Sequence, residues 1–266
     1  MKTGVVQMDC QPGDSDVNMN RVGFFAAKAK AENCDIVVFP EMVDTGYNMD
    51  VIQKKAATWE ERPYRLIKET AVKNKIYMIC NISERTDADQ IFNTTLVMDP
   101  GGCMIGKYRK NHLADYPPLN EGACITPGNA MEIVQIKNIS FGMTICYDLR
   151  FCEMNRSLVL RGADVLILSS AWPLSRLRHW NTLIRARAIE NQVYVAAANR
   201  VGVDKGVTFG GSSCIIDPYG VTLSSAAEEG DTMITGEIDP ERIRQIRDKM
   251  PVFQHRTGLD KLSDKP

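Results

Sequence analysis

The sequence predicts an α/β fold whose strands are covered by helices on both faces. Three observations carry that prediction. Strand-like and helix-like segments alternate from end to end. Many of the strand-like segments are unbroken apolar runs, such as Ile36-Val37-Val38-Phe39 and Val165-Leu166-Ile167-Leu168. Runs of this kind mark strands buried on both sides, as in layered α/β folds. Finally, two similar Asp-Pro turns punctuate the chain, one in each half.

In order, strands are expected at Thr3–Met8, Asp35–Phe39, Ile76–Ile82, Thr94–Met98 and Met104–Tyr108. A second series follows at Ile139–Ile145, Val165–Leu168, Val193–Ala198, Ser212–Ile216 and Thr232–Ile238. After the capping candidate Asp14-Ser15-Asp16, apolar residues recur at helical spacing through Met19, Val22, Phe25 or Ala26, and Ala29. Leu177, Trp180, Ile184 and Ala188 repeat that spacing within Arg176–Asn191. Asp99-Pro100-Gly101-Gly102 and Asp217-Pro218-Tyr219-Gly220 read as hairpin connections. Their likeness points to a pseudo-symmetric pair of halves, although not to a sequence repeat. No Pro/Gly/Ser-rich linker divides the chain, so residues 1–266 are expected to form one domain.

Composition removes several classes of function. A chain of 266 residues, 44% hydrophobic and 24% charged, supports an ordinary core without metal or disulfide staples. Its net charge of −1, evenly interspersed, gives no pull toward nucleic acid or an anionic membrane. No run approaches the roughly 18 apolar residues of a membrane span. The segment Met1–Asp14 lacks the long apolar stretch of a signal peptide. The eight cysteines (Cys10, Cys34, Cys80, Cys103, Cys124, Cys146, Cys152 and Cys214) form no Cys-x-x-Cys pair, and His112, His179 and His255 lie far apart. Metal ligands usually cluster more tightly than this, so no metal site is expected. Several of the cysteines fall in apolar strands, which fits reduced thiols and a cytoplasmic protein. The chain has no Gly-x-Ser-x-Gly turn, P-loop or Gly-x-Gly-x-x-Gly fingerprint, which disfavours a serine hydrolase and a nucleotide-binding protein.

Three segments place a reactive group just past an apolar strand. Asp35–Phe39 runs into Pro40 and then Glu41; proline cannot donate to a central ladder, so Glu41 emerges where the strand ends. Taken alone, Glu41 also fits a helix-capping or solvated glutamate. Lys107, Arg109 and Lys110 follow the strand after the first Asp-Pro turn. They read either as a surface patch or as the source of a fixed positive charge for an oxyanion. Phe141–Ile145 runs into Cys146, where a strand-to-helix turn favours the thiolate; an inert core cysteine is the alternative.

Together these segments resemble the nitrilase-like carbon–nitrogen hydrolase family. Phe39-Pro40-Glu41, Tyr108-Arg109-Lys110-Asn111-His112-Leu113 and Cys146-Tyr147-Asp148-Leu149-Arg150-Phe151 match its three signature regions in the right order. Phe92-Asn93-Thr94, Ala186-Arg187-Ala188-Ile189-Glu190-Asn191 and Ala197-Ala198-Asn199-Arg200 extend the resemblance over nearly the whole chain. It implies a four-layer αββα sandwich, a Glu41–Lys110–Cys146 triad, and Glu121 as a second glutamate. Lys110 would favour the thiolate, Glu41 would take its proton, and Lys110 with the Tyr147 backbone N–H would stabilise the oxyanion. No cofactor is required. The family often has proline after Phe151, where this chain has Cys152.

The Cys146–Phe151 sequence, Ala171-Trp172-Pro173 and His179-Trp180 resemble the omega-amidase branch, which hydrolyses short α-keto acid amides such as α-ketoglutaramate. A distal carboxylate calls for a cation, and Arg150 offers a bidentate fork about one turn past Cys146. Arg176 is a second candidate, and Trp172 either walls the pocket or fills core. Nitriles, carbamoyl amines and deaminated peptides are alternative substrates on the same fold; a binding protein without catalysis is the alternative outside it. Family members commonly dimerise through helices, and Met250–Pro266 either reaches a partner subunit or frays.

Overall fold

The computed structural model describes residues 1–257; of the segment Met250–Pro266, the last nine positions lie outside the described residues. The first half supplies β1 (Lys2–Gln7), α1 (Ser15–Ala31), β2 (Ile36–Val38), α2 (Met49–Lys55), α3 (Arg62–Asn74), β3 (Tyr77–Arg85), β4 (Ile91–Met98) and β5 (Met104–Arg109). The second supplies β6 (Ile133–Ile136), β7 (Ile139–Ile145), α4 (Cys152–Leu160), β8 (Val165–Ser170), α5 (Leu177–Asn191) and β9 (Tyr194–Asn199). A small hairpin follows, β10 (Val203–Asp204) with β11 (Val207–Thr208). Then come β12 (Cys214–Ile216), β13 (Thr222–Ser225), β14 (Thr232–Glu237) and α6 (Pro240–Lys249).

The larger strands form two six-stranded sheets, ordered β14-β1-β2-β3-β4-β5 and β13-β12-β9-β8-β7-β6. Each contains a parallel triplet, β1-β2-β3 or β7-β8-β9, continued by an antiparallel hairpin. Each also carries one antiparallel strand on the opposite edge, β14 or β6. The two Asp-Pro turns close equivalent hairpins with the same hydrogen bonds. Asp99 Oδ1 accepts from the N–H groups of Gly101 and Cys103, both at 2.8 Å. Asp217 Oδ1 accepts from those of Tyr219 and Val221, also at 2.8 Å. The halves therefore share one topology, the relation suggested by the paired turns.

The unbroken apolar runs are explained by the layers. Along β1, Val5 packs into the cluster between the sheets, while Val6 packs beneath helices α1 and α3. The inner cluster brings Ile36, Val38, Ile79 and Val97 of the first sheet against Phe141, Met143, Ile145 and Ile167 of the second. Met19, Val22, Phe25, Ile67 and Ala71 cover the outer face of the first sheet, and Leu158, Trp180, Ile184 and Ala188 cover that of the second. The result is a four-layer αββα sandwich. Each fully buried Val or Ile contributes roughly 1.5–3 kcal/mol of transfer free energy, so the inner seam is the main source of cohesion.

Helix α1 starts as expected, with the Asp14 side chain accepting from Val17 N–H at 3.0 Å. Several elements were less visible in sequence. β4 begins at Ile91 rather than Thr94, which brings Asn93 into the strand. β13 is a largely exposed edge strand with little apolar signal, and β6 is an edge strand of only four residues, Ile133-Val134-Gln135-Ile136. Helix α3 buries only Pro63, Ile67 and Ala71 among many charges, and α5 is preceded by a 3-10 turn, Leu174–Arg176, instead of starting at Arg176.

Candidate active site

The site lies where strands of both sheets end. Glu41 follows β2, Lys110 follows β5, Cys146 follows β7, and Ala171 follows β8. Glu41, Lys110 and Glu121 are completely buried, and Cys146 is 3% exposed. Glu41 Oε1 accepts from Lys110 Nζ at 3.0 Å and from Asn93 Nδ2 at 2.6 Å. Its Oε2 accepts from Ala171 N–H at 2.8 Å. Asn93 is fixed in turn by Asn81 Nδ2, which donates to its Oδ1 at 2.8 Å. On the other side of Lys110, Glu121 Oε1 accepts from Nζ at 2.6 Å, and Oε2 accepts from Ala114 N–H at 2.5 Å.

Strand alternation resolves the cluster of basic residues. Lys107 and Arg109 turn to one face and pair with the buried Glu84, at 3.4 and 2.5 Å. Tyr108 and Lys110 turn to the other face, into the site. The segment is thus divided, with Lys107 and Arg109 on the partly exposed face and Lys110 buried between Glu41 and Glu121.

Cys146 opens a 3-10 turn, Cys146–Arg150, with a φ of +43°. This left-handed conformation is uncommon for a residue with a Cβ and persists only where surrounding structure enforces it. Three neighbours do so. Asp148 accepts from Tyr108 Oη at 2.7 Å and from the N–H groups of Ile145 and His112 at 2.9 and 3.1 Å. Asn155 on α4 donates to the Asp148 carbonyl at 3.0 Å. Arg187 on α5 donates to the Leu149 carbonyl through Nε and Nη2, at 3.1 and 2.8 Å. Asp148 thereby ties the lysine segment to the cysteine segment, and His112 stacks on Phe151 with ring centroids 3.7 Å apart.

The electrostatics correct one expectation. Sequence reading favoured a Cys146 thiolate; in the structure the thiol is pushed well up, so it rests protonated. Burial is the largest cause, and the Glu41 charge adds to it, outweighing the opposing pull of Lys110. Glu41 is also raised, chiefly by burial, with Lys110 working against the shift. For Lys110, burial opposes the charged form, but Glu121 and Glu41 more than compensate and hold the ammonium charged. Among the described residues no group of three or more His, Cys, Asp or Glu side chains is arranged to hold a metal.

The expected substrate contacts form an aromatic and cationic rim. Arg150 lies 4.6 Å from the Trp172 ring and 5.7 Å from the Tyr147 ring, with Nη1 3.3 Å from His179 Nδ1. Arg176 donates to Tyr116 Oη at 2.9 Å and lines a cavity of about 430 Å³ with Pro118, Pro173 and Val207. Trp172 is buried, its backbone N–H held by Asn199 Oδ1 at 2.6 Å and its indole N–H by the Arg176 carbonyl at 2.9 Å. Tyr116 links the rim, packing against Tyr147 with centroids 5.6 Å apart. Sequence reading missed Tyr116, along with Asn93 as a Glu41 partner; only Asn93 had a signal, within Phe92-Asn93-Thr94.

Residues 2–248 match the model of a family described as carbon-nitrogen hydrolase. The chain belongs to the carbon–nitrogen hydrolase family. A 2-oxoglutaramate amidase of Bacillus subtilis is 33% identical over 249 residues, covering 93% of this chain and 94% of that protein. Omega-amidase NIT2 of Homo sapiens is 29% identical over 262 residues, covering 96% and 94%. Such relatives put this hydrolase on the omega-amidase-like branch of the nitrilase-like family. The NitFhit protein of C. elegans superposes with a TM-score of 0.89 and 31% identity over 96% of this chain, which spans 64% of that longer one.

Proposed function

We propose that this hydrolase cleaves the terminal amide of a short α-keto acid amide such as α-ketoglutaramate, releasing ammonia, with Cys146 as nucleophile. The observation that carries the reading is the buried Glu41–Lys110–Glu121 array beside the left-handed Cys146. Its hydrogen-bond count supports the roles proposed for each group. Glu41 Oε1 is filled by two donors, while Oε2 receives one and keeps a lone pair for the thiol proton. Lys110 spends two N–H bonds on the glutamates and keeps the third for the substrate oxygen.

The Cys146 proton passes to Glu41 as sulfur attacks the amide carbon. The oxyanion is met by Lys110 and by the Tyr147 N–H, which sits in the first turn of the 3-10 segment. Glu41 then returns the proton to the departing nitrogen, and ammonia leaves. Water attacks the thioester with Glu41 again as base, releasing the acid and restoring the thiol. Arg176 and Arg150 are the cations proposed to receive the distal carboxylate. The nearest competing reading is a deaminated peptide amide, since a deaminated glutathione amidase of Escherichia coli O157:H7 is 31% identical over 235 residues.

We read residues 1–266 as one catalytic unit that works as a cytoplasmic homodimer. Leu160 on α4 and Ile189 on α5 are exposed apolar residues on the helices proposed to pair, and all eight thiols are free, as in a reducing compartment. Sedimentation velocity reads the dimer directly.

Ammonia release tests the reaction on α-ketoglutaramate, α-ketosuccinamate, glutamine, an aliphatic amide, a carbamoyl amine and a nitrile, and release of the dipeptide amine tests it on deaminated glutathione. Release from the keto-acid amides, lost in a folded Cys146→Ala variant, is expected. Release confined to another class discards the substrate while keeping the nucleophile. Activity retained by Cys146→Ala discards the nucleophile.

A further inference from the structure

The mechanism above leaves the Tyr47 hydroxyl idle. Tyr47 lies in the loop between Glu41 and α2, and the residue is 5% exposed. Its ring meets Phe209 edge-on with centroids 5.9 Å apart, and Lys110 Nζ lies 6.0 Å from its centroid. The hydroxyl oxygen is buried and makes no hydrogen bond. Burial, reinforced by the charges of Glu121 and Glu41 and by the hydroxyl's approach to the Glu121 carboxylate, keeps the phenol protonated. A buried, unpaired hydroxyl is unfavourable by about 1–3 kcal/mol, so phenylalanine would suit the free protein better. A phenol held unpaired beside two carboxylates points to a partner that arrives with the substrate.

We propose that the Tyr47 hydroxyl reads the N–H of the scissile carboxamide, accepting from the substrate nitrogen while donating to Glu121. This rests on the amidase reading above and extends it to how an amide is told from an ester. The leaving nitrogen must come within reach of Glu41 to receive its proton. The carbonyl oxygen goes to Lys110 and the Tyr147 N–H. That leaves the nitrogen's own protons facing the carboxylate side, where Tyr47 waits. A phenol suits this place because its oxygen accepts and donates at once. An ester presents an oxygen without N–H and gains nothing from the contact.

The test compares wild type and Tyr47→Phe on α-ketoglutaramate and on the γ-methyl ester of α-ketoglutarate, together with the thermal midpoint. For the amide, kcat/KM is expected to fall about tenfold, the scale of one hydrogen bond. For the ester it stays within about twofold, and Tm is unchanged or higher. Equal losses on amide and ester overturn the inference by making Tyr47 an oxyanion donor. An unchanged amide rate, or a lowered Tm, overturns it by leaving the hydroxyl without a substrate role or giving it a structural one. Wild type inactive on both compounds refutes the amidase reading itself, and this inference with it.

Discussion

Glu41 and Lys110 each keep one free position after their structural bonds are made, and this defines what a substitution does. Glu41→Gln places an amide where a lone pair is needed, while Lys110 still has Glu121. The expected result is a kcat lowered by about 10²–10⁴ with little change in the circular dichroism spectrum. A kcat above a tenth of wild type removes Glu41 as the base. Lys110→Met acts differently, because it leaves two buried carboxylates facing each other without a cation. It is expected to lower stability by about 3–5 kcal/mol in urea unfolding as well as abolish turnover. A variant as stable as wild type means the carboxylates share a proton unaided. At this scale, Glu41 and Cys146 stood out because each directly follows an apolar run, whereas Lys110, preceded by Lys107-Tyr108-Arg109, was set apart from its basic neighbours only by the family resemblance. Tyr47, Tyr116 and the Ala171 N–H were not, since a neutral contact made across the fold leaves no local pattern.

Among the elements, the turn after β7 depends most on its neighbours. β5, α4 and α5 all hold it, so a residue remote from the chemistry governs where sulfur points. Arg187→Met deprives the Leu149 carbonyl of both its guanidinium donors. The expected loss is about 1–3 kcal/mol in the urea midpoint, with kcat falling more than KM rises. Unchanged kcat with reduced stability limits Arg187 to the fold. The same neighbours explain why Ala186–Asn191 belongs with the reactive segments despite lying some forty residues beyond Cys146. Central strands were easy to locate from their two-sided burial. The edge strand β13 and the charged helix α3 were not, because exposed positions dilute the apolar signal, and β6 was not because its four residues make too short a run.

The site is complete only when the whole sandwich has formed, since the first sheet supplies Glu41 and Lys110 and the second supplies Cys146. Just past Glu41, the buried Asp44 couples the fold to pH. Burial raises its pKa to about 6, although Ser83 N–H and Oγ bond to the carboxylate. The folded state thus holds this proton more tightly than the unfolded chain, where an aspartate titrates near 3.9. Its contribution is full below about pH 4 and is lost as pH rises through about 6. Asp44→Asn removes the loss: its stability relative to wild type should grow by roughly 2 kcal/mol between pH 4 and 7. A difference that stays flat with pH overturns this account. The paired Asp-Pro turns were the clearest sequence sign of this scale of organisation, whereas the face-to-face packing of the two sheets came only through the family resemblance.

The protonated resting state of Cys146 also bears on how the enzyme ages. Peroxide and related oxidants attack thiolates, and an idle molecule presents none at this position. Cys103 and Cys152, the exposed thiols, meet such agents first. On the proposed mechanism, sulfur becomes vulnerable only in the moments when a bound amide draws its proton onto Glu41. Oxidative wear should then track the number of catalytic cycles completed rather than the hours elapsed.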